Sequence, residues 1–312
     1  MWTCQNQYWM KGRQALMARE KIGMLLGLFG VICFSLTLPA TSVAVNYFGT
    51  TVVGLGRTVI AAILVAIVLL VRKEKLPSLS QFKSLIIVAL GAVLGFPLLT
   101  SWAMVSLPVS HGAVEVALLP LATAGFAMYR AGERPSLKFW LSSLIGSLAV
   151  IIYALYLGFG HLKIADIALL AAVVLLGFSY AEGGKLAKQL GSWQVIAWAI
   201  MIGAPFFIIP IARTLTADML HAPLQAWISL SYLAVISQFL AYVAWYSGMA
   251  MGGIARISQI QYLQPFLMIL FSAIFLNESI PFVTIVIAVI VVISVIVGKN
   301  ATVTRDSLTK NL

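Results

Sequence analysis

Long apolar runs, separated by short stretches that carry nearly all of the charge, recur from one end of the chain to the other. No other feature restricts the fold as much, because about 20 apolar residues is the length an α-helix needs to cross the hydrocarbon core of a bilayer. Ten such runs can be read, over approximately Ile22–Ala44, Thr51–Val71, Leu85–Leu107, Ala113–Met128, Phe139–Leu157, Ile164–Ala181, Trp193–Ile211, Ala226–Ala250, Ile257–Phe275 and Ile280–Val297. Only 9% of the residues are charged, against 62% apolar; an average soluble domain carries roughly 25% charged residues. The chain lacks the polar surface to coat a water-soluble globule. A soluble enzyme, a disulfide scaffold and a disordered chain are excluded, and an all-α integral membrane protein of ten transmembrane helices is predicted. The first run is longer than the 7 to 15 residues of a signal-peptide core, so it reads as an uncleaved helix. Met17 stands as an alternative translation start.

The net charge of +11 would suggest nucleic acid in a soluble protein. Here it is tested first against the excess of Lys and Arg that membrane proteins keep on the cytoplasmic side. With a cytoplasmic N-terminus and ten crossings, seventeen basic residues fall in cytoplasmic segments and two, Lys163 and Arg213, in external loops. Arg57 lies within the second run. Both termini are therefore expected in the cytoplasm, with the chain in the plasma (bacterial inner) membrane, and no nucleic-acid partner is needed to explain the charge. Cys4 and Cys33 have no obvious partner and no metal-ligand spacing.

An internal repeat is visible at an offset of 145: Pro120 with Pro265, Glu133 with Glu278, and His111 with Arg256. In both copies a proline sits mid-run and a glutamate follows 13 residues later, in Gly132-Glu133-Arg134-Pro135 and in Asn277-Glu278-Ser279-Ile280-Pro281. Phe34-Ser35 and Phe178-Ser179 match at 144. The organisation read from this is a cytoplasmic tail at 1–19, a first five-helix repeat at 20–158, a second at 164–298 and a cytoplasmic tail at 299–312. An odd number of helices per copy makes the second enter the membrane in the opposite sense, so two inverted five-helix repeats are expected, an arrangement typical of secondary transporters with a site near the midplane.

Two five-helix copies, a proline in helices 4 and 9, and a Gly/Asn-Glu turn before helices 5 and 10 resemble the drug/metabolite transporter superfamily, EamA type. The resemblance covers roughly Ile22–Val297. It implies a carrier for small molecules, commonly an exporter of amino acids, metabolites or toxic compounds, and it carries no universal motif onto particular residues.

Site residues are therefore read from this chain. An ionisable group near the bilayer centre costs at least about 2.5–3.5 kcal/mol, so it faces protein or a water-filled cavity. Glu115 stands four residues after His111, on the same helical face. An imidazole and a carboxyl so placed can hold a proton, as proton-coupled antiport needs. Glu115 is alternatively a structural partner for Arg57, and His111 a loop residue after Pro108. Glu182 is expected to pair with Lys185, or to form an inner vestibule where the helix frays at Gly183-Gly184; Glu133 and Glu278 read as turn and N-cap residues. Of the glutamines in helix 9, Gln259 is the expected cavity residue, and Gln264 bonds a neighbouring helix. Trp102, Tyr242 and Tyr246 are expected deeper than the interfacial aromatic belt, as walls of a substrate cavity. Pro120 and Pro265 are hinge candidates. Glycine pairs spaced by four, Gly23/Gly27, Gly91/Gly95 and Gly248/Gly252, predict close helix contacts.

The function expected is secondary active export of a small metabolite, amino acid or amphipathic compound by alternating access, with protons as the candidate coupling ion. The partners are the substrate and the lipid bilayer; no cofactor or metal is expected, and nothing in the sequence speaks to oligomeric state. No G-x-x-x-x-G-K-[ST] loop is present to mark an ATP motor. The alternatives are a flippase for a lipid-linked substrate and an integral-membrane enzyme. The enzyme would call for a paired acidic or histidine cluster, which His111, His161 and His221 are too scattered to provide.

Overall fold

The computed structural model describes residues 2–156 and 163–276, residues 303–305, and isolated positions between 282 and 293. The tenth run, the Asn277–Pro281 turn with Glu278, and His161 lie wholly or largely outside them. The helices are α1 (Trp2–Ser35), α2 (Thr37–Thr51), α3 (Arg57–Arg72), α4 (Leu79–Val88), α5 (Phe96–Ala103), α6 (Val109–Val116), α7 (Leu119–Ala131) and α8 (Leu137–Tyr156). After the link that follows α8 come α9 (Ile164–Leu190), α10 (Ser192–Ala212), α11 (Leu224–Tyr232), α12 (Ala241–Gly252), α13 (Ile254–Ser258) and α14 (Gln264–Leu276).

Six stretches among the described residues are long and apolar enough to cross a bilayer: Met17–Arg72, Leu79–Ala103, Ile164–Leu190, Ser192–Ala212, Leu224–Gly252 and Ile254–Leu276. At 1.5 Å per residue the first would run to about 84 Å, nearly three hydrocarbon thicknesses, so it must double back. The interruption is at Gly49, whose φ of 72° a side chain would resist. Large apolar side chains such as Ile63, Ile67, Leu70, Phe206 and Ile209 stand exposed on the outer faces, a surface that lipid suits and water does not.

Lipid tails are as apolar as leucine, so close packing, rather than exclusion from solvent, must hold such helices together. The glycine pairs supply it. Gly23 and Gly27 of α1 lie against Gly248 and Gly252 of α12, and a Cβ on Gly248 would come within 2.7 Å of the Gly23 carbonyl oxygen.

Several spans are not continuous α-helices. π-helical turns cover Ala89–Gly95 and Leu233–Leu240, which are corresponding positions at the repeat offset. A π-turn displaces carbonyls from the regular ladder, and side chains take them up: Gln238 donates to the Ala92 oxygen (3.3 Å) and Thr58 to that of Val93 (3.3 Å). Ahead of Pro120 the helix breaks between α6 and α7. Ahead of Pro265 it passes through a 3-10 turn, Gln259–Leu263. The prolines therefore do not kink unbroken helices, as their mid-run positions suggested. Each occupies the first turn of a second half-helix, where its missing N–H breaks no hydrogen bond.

One small element is outside the all-helical expectation. Glu133–Pro135 pairs antiparallel with Val303–Arg305, with Glu133 opposite Arg305.

Candidate functional site

Between the two copies lies a small chamber, lined among others by Phe34, Thr37 and Arg57 from the first and by Tyr180, Tyr242 and Gln264 from the second. Its free volume is about 10 Å³, room for a single water molecule at most. Its walls are aromatic. Phe34 meets Tyr242 edge-on at 5.0 Å between ring centres, Tyr180 meets Tyr242 at 5.9 Å, and Tyr180 packs on Trp245 at 5.4 Å. Thr37 and Ser237 join the copies through a hydroxyl pair at 2.8 Å.

Arg57 is 2% exposed. Its Nε and Nη1 have no hydrogen-bond partner, so the expectation that Glu115 serves it is not met. Glu115 lies instead with His111 and Asp166. His111 Nε2 is 3.2 Å from Glu115 Oε1 and 2.8 Å from Asp166 Oδ1. Asp166 is in the first turn of α9, and its other oxygen accepts the backbone N–H of Lys163 at 2.6 Å, which fixes the carboxylate where His111 meets it. One ligand atom from each of the three side chains lies within 4.8 Å of the other two. Three metal ligands could be assembled this way, and the two short His111 contacts are also at the distance over which a proton is shared.

At the opposite end of the same helix pair, Glu182 of α9 faces Arg130 of α7. Arg130 Nε donates to Glu182 Oε2 at 2.6 Å, and Ser84 Oγ donates to Oε1 at 2.5 Å. The Arg130 guanidinium also stacks over Phe178, 5.7 Å from its centre. The partner of Glu182 is thus Arg130 and not Lys185. Nor does the helix fray at Gly183-Gly184: α9 continues to Leu190, with Gly183 against the ring of Tyr246.

The remaining candidates separate. Tyr242 reaches the chamber, and Tyr246, fully buried, stands behind it at 5.7 Å between ring centres. Trp102 is 45% exposed on α5, away from the chamber; its apparent depth in the sequence reflected a short helix ending early. The two glutamines are exchanged relative to expectation: Gln259 donates to Ser143 Oγ at 2.9 Å, toward α8, whereas Gln264 lines the chamber. The 3-10 turn between them rotates the face that a regular helix would have presented. Glu133 is a cap, but for a distant helix. Its two oxygens accept the N–H groups of Ile254 (3.0 Å) and Ala255 (2.8 Å) at the start of α13.

Asp166 and Arg130 were not singled out from the sequence. Asp166 is an acid three residues after Lys163 at a helix start, which reads as a cap and conceals a second role. Arg130 is one of seventeen basic residues assigned to loops, and only the fold turns it inward.

Comparison with known proteins agrees with this architecture. The model of the EamA-like transporter family matches twice, over residues 21–155 and 163–297. The uncharacterized transporter YdeK of Bacillus subtilis (strain 168) is 39% identical over 279 residues, 89% of this chain and 97% of that protein. A probable terminal-alkyne amino-acid exporter of Streptantibioticus cattleyicolor is 21% identical over 252 residues, covering 80% of this chain and 84% of its own. A solved crystal structure shares the fold at a TM-score of 0.70 with 17% identity, over 89% of this chain and 98% of that one. The chain belongs to the EamA-like transporter family and is a multi-pass membrane transporter of a small-molecule substrate.

Proposed function

We propose that this transporter exports a small metabolite, amino acid or amphipathic compound across the plasma membrane by alternating access between two inverted five-helix repeats, driven by protons. The observation that carries this reading is a nearly closed chamber at the junction of the copies, with a polar latch at each end of the α6/α7–α9 contact that joins them. With both latches made, the two copies are tied together at each end of this contact, as an occluded carrier requires. The repeat is supported by the matching π-turns and by the breaks ahead of Pro120 and Pro265, which we take as the hinges, and an odd number of helices per copy gives the inverted sense. The amino-acid exporter among the relatives supports the direction of transport.

In the proposed orientation both termini are cytoplasmic, the His111 latch faces outward and the Arg130 latch inward. The strand pairing between the loop after α7 and residues 303–305 suits this, since both then lie on the cytoplasmic side. A proton taken up at Glu115 from an acidic exterior removes one of the two carboxylate charges that face His111, and this favours opening outward. Proton entry is thereby tied to substrate exit.

The test is Glu115→Gln in inverted membrane vesicles. It is expected to abolish movement driven by the proton gradient while the protein remains folded, and normal coupling would remove Glu115 from the mechanism. Orientation is checked in parallel by single cysteines in intact cells. Those replacing Lys163 and Arg213 should label from outside and those replacing Lys75 and Arg134 should not; the reverse pattern would overturn the assignment of faces.

A further inference from the structure

We infer that Arg57 binds a carboxylate of the transported molecule and that Gln264 accepts a hydrogen bond from a donor beside it, so that the substrate is a small monoanionic organic acid with an N–H or O–H next to its carboxylate. This rests on the carrier reading above and narrows it to a chemical class.

A charge buried without a partner is strongly destabilising, and Arg57 is such a charge: 2% exposed, with Nε and Nη1 unsatisfied. No carboxylate is among the described residues that line the chamber. The neighbouring polar groups are occupied with one another. Thr37 and Ser237 share a hydrogen bond, and the Ala92 carbonyl already receives Gln238 and, at 3.5 Å, Tyr242. Two unmet demands remain in this space, the donors of Arg57 and the Oε1 acceptor of Gln264, which is itself buried and unpartnered.

The planar fork of a guanidinium matches a carboxylate through two parallel hydrogen bonds. One cation and no second basic residue in the lining fit a single negative charge rather than a phosphate dianion. A halide would answer Arg57 alone and leave the Gln264 oxygen unmet. Phe34, Tyr180 and Tyr242 offer apolar faces to the rest of the molecule, so an acid with a compact apolar or aromatic body fits best. With so little free volume in the closed chamber, these side chains must part to admit it.

The experiment uses the full-length protein in detergent and measures binding by thermal stabilisation. The probes are N-acetylphenylalanine and 3-phenyllactate, their carboxamides, phenylacetate, which lacks the donor, and sodium chloride. The acylamino and hydroxy acids are expected to bind about tenfold or more tighter than their amides, with phenylacetate between. Arg57→Gln should erase the preference for acid over amide and Arg57→Lys should keep part of it. Gln264→Leu should bring phenyllactate down to phenylacetate. Equal binding of acids and amides, no response to any acid, a chloride response that matches the acids, or an acid preference that survives Arg57→Gln would each overturn the inference. Should Arg57→Gln fail to fold, the wild-type acid–amide comparison and Gln264→Leu decide. Proteoliposomes separate this from the carrier reading. Wild-type rates for 3-phenyllactate in Arg57→Gln would sink the carboxylate site and leave the carrier standing. Wild-type protein that binds acids yet moves no solute would do the opposite.

Discussion

The two ends of the contact between α6/α7 and α9 hold the same pair of elements by different chemistry. At one end Arg130, a group charged at every physiological pH, meets a buried glutamate and is steadied by Ser84 and the Phe178 ring. At the other, a histidine stands between two carboxylates, so the strength of the pairing depends on where a proton sits among them. Between them, at Gly177, the helices are in close contact: a Cβ there would lie 2.8 Å from Ala122 Cβ and 3.1 Å from the Thr123 nitrogen. The contact is arranged like a lever, with a fulcrum and two unequal catches. The difference teaches that one end is built to hold and the other to respond.

Removing the permanent catch should cost most. Arg130→Ala leaves the Glu182 carboxylate, 1% exposed, with Ser84 as its remaining donor. Breaking a buried pair costs about 3–5 kcal/mol. Arg130 is itself part-exposed, so screening brings the expectation to about 2–3 kcal/mol, read as a lower melting temperature of the detergent-purified protein. Arg130→Lys, which keeps the charge but loses the Nε geometry and the stacking, should fall between. Full stability in Arg130→Ala would show that the two ends do not differ in strength.

Much of this architecture is legible in the sequence and part of it is not, for physical reasons. Run length and hydropathy announce membrane helices, and the four-residue glycine spacing of Gly23, Gly27, Gly248 and Gly252 foretells the α1–α12 contact, because both follow from local geometry. His111 and Glu115 are neighbours for the same reason, being one helical turn apart. What periodicity cannot reach is pairing across elements. Asp166 comes to His111, and Arg130 to Glu182, only once α9 packs beside α6 and α7. Irregular turns defeat the helical wheel in the same way. The 3-10 turn over Gln259–Leu263 exchanged the two glutamines, and the short α5 left Trp102 on the surface.

A smaller effect is expected at the fulcrum. Gly177→Val places a branched side chain against Ala122 and the α7 backbone, and such overpacking costs about 1–3 kcal/mol. Its signature differs from that of Arg130→Ala, because separating the helices at mid-length weakens both catches together. Single cysteines at the loops of both faces should label faster in this background. Faster labelling at one face alone would mean that the ends open independently and that Gly177 is no pivot.

The smallest cost in stability, and the most informative change in behaviour, is expected at the responsive end. Asp166→Asn keeps a side-chain oxygen for the Lys163 N–H, so the start of α9 retains its cap. Asp166 is buried, but the substitution removes the buried charge itself and leaves His111 with Glu115 as a partner, so the expected loss is about 1 kcal/mol, less than in Arg130→Ala. The pH dependence should move as well. In the native protein a proton taken up at Glu115 removes part of the pairing with His111 and favours opening, so proton-driven transport should rise as the exterior acidifies. With Asp166 replaced by a neutral amide, the latch is already weakened before Glu115 takes up its proton. Transport by Asp166→Asn should therefore depend less steeply on external pH. A variant that melts like Arg130→Ala while keeping the native pH profile would reverse the assignment, making the His111 end the one that holds.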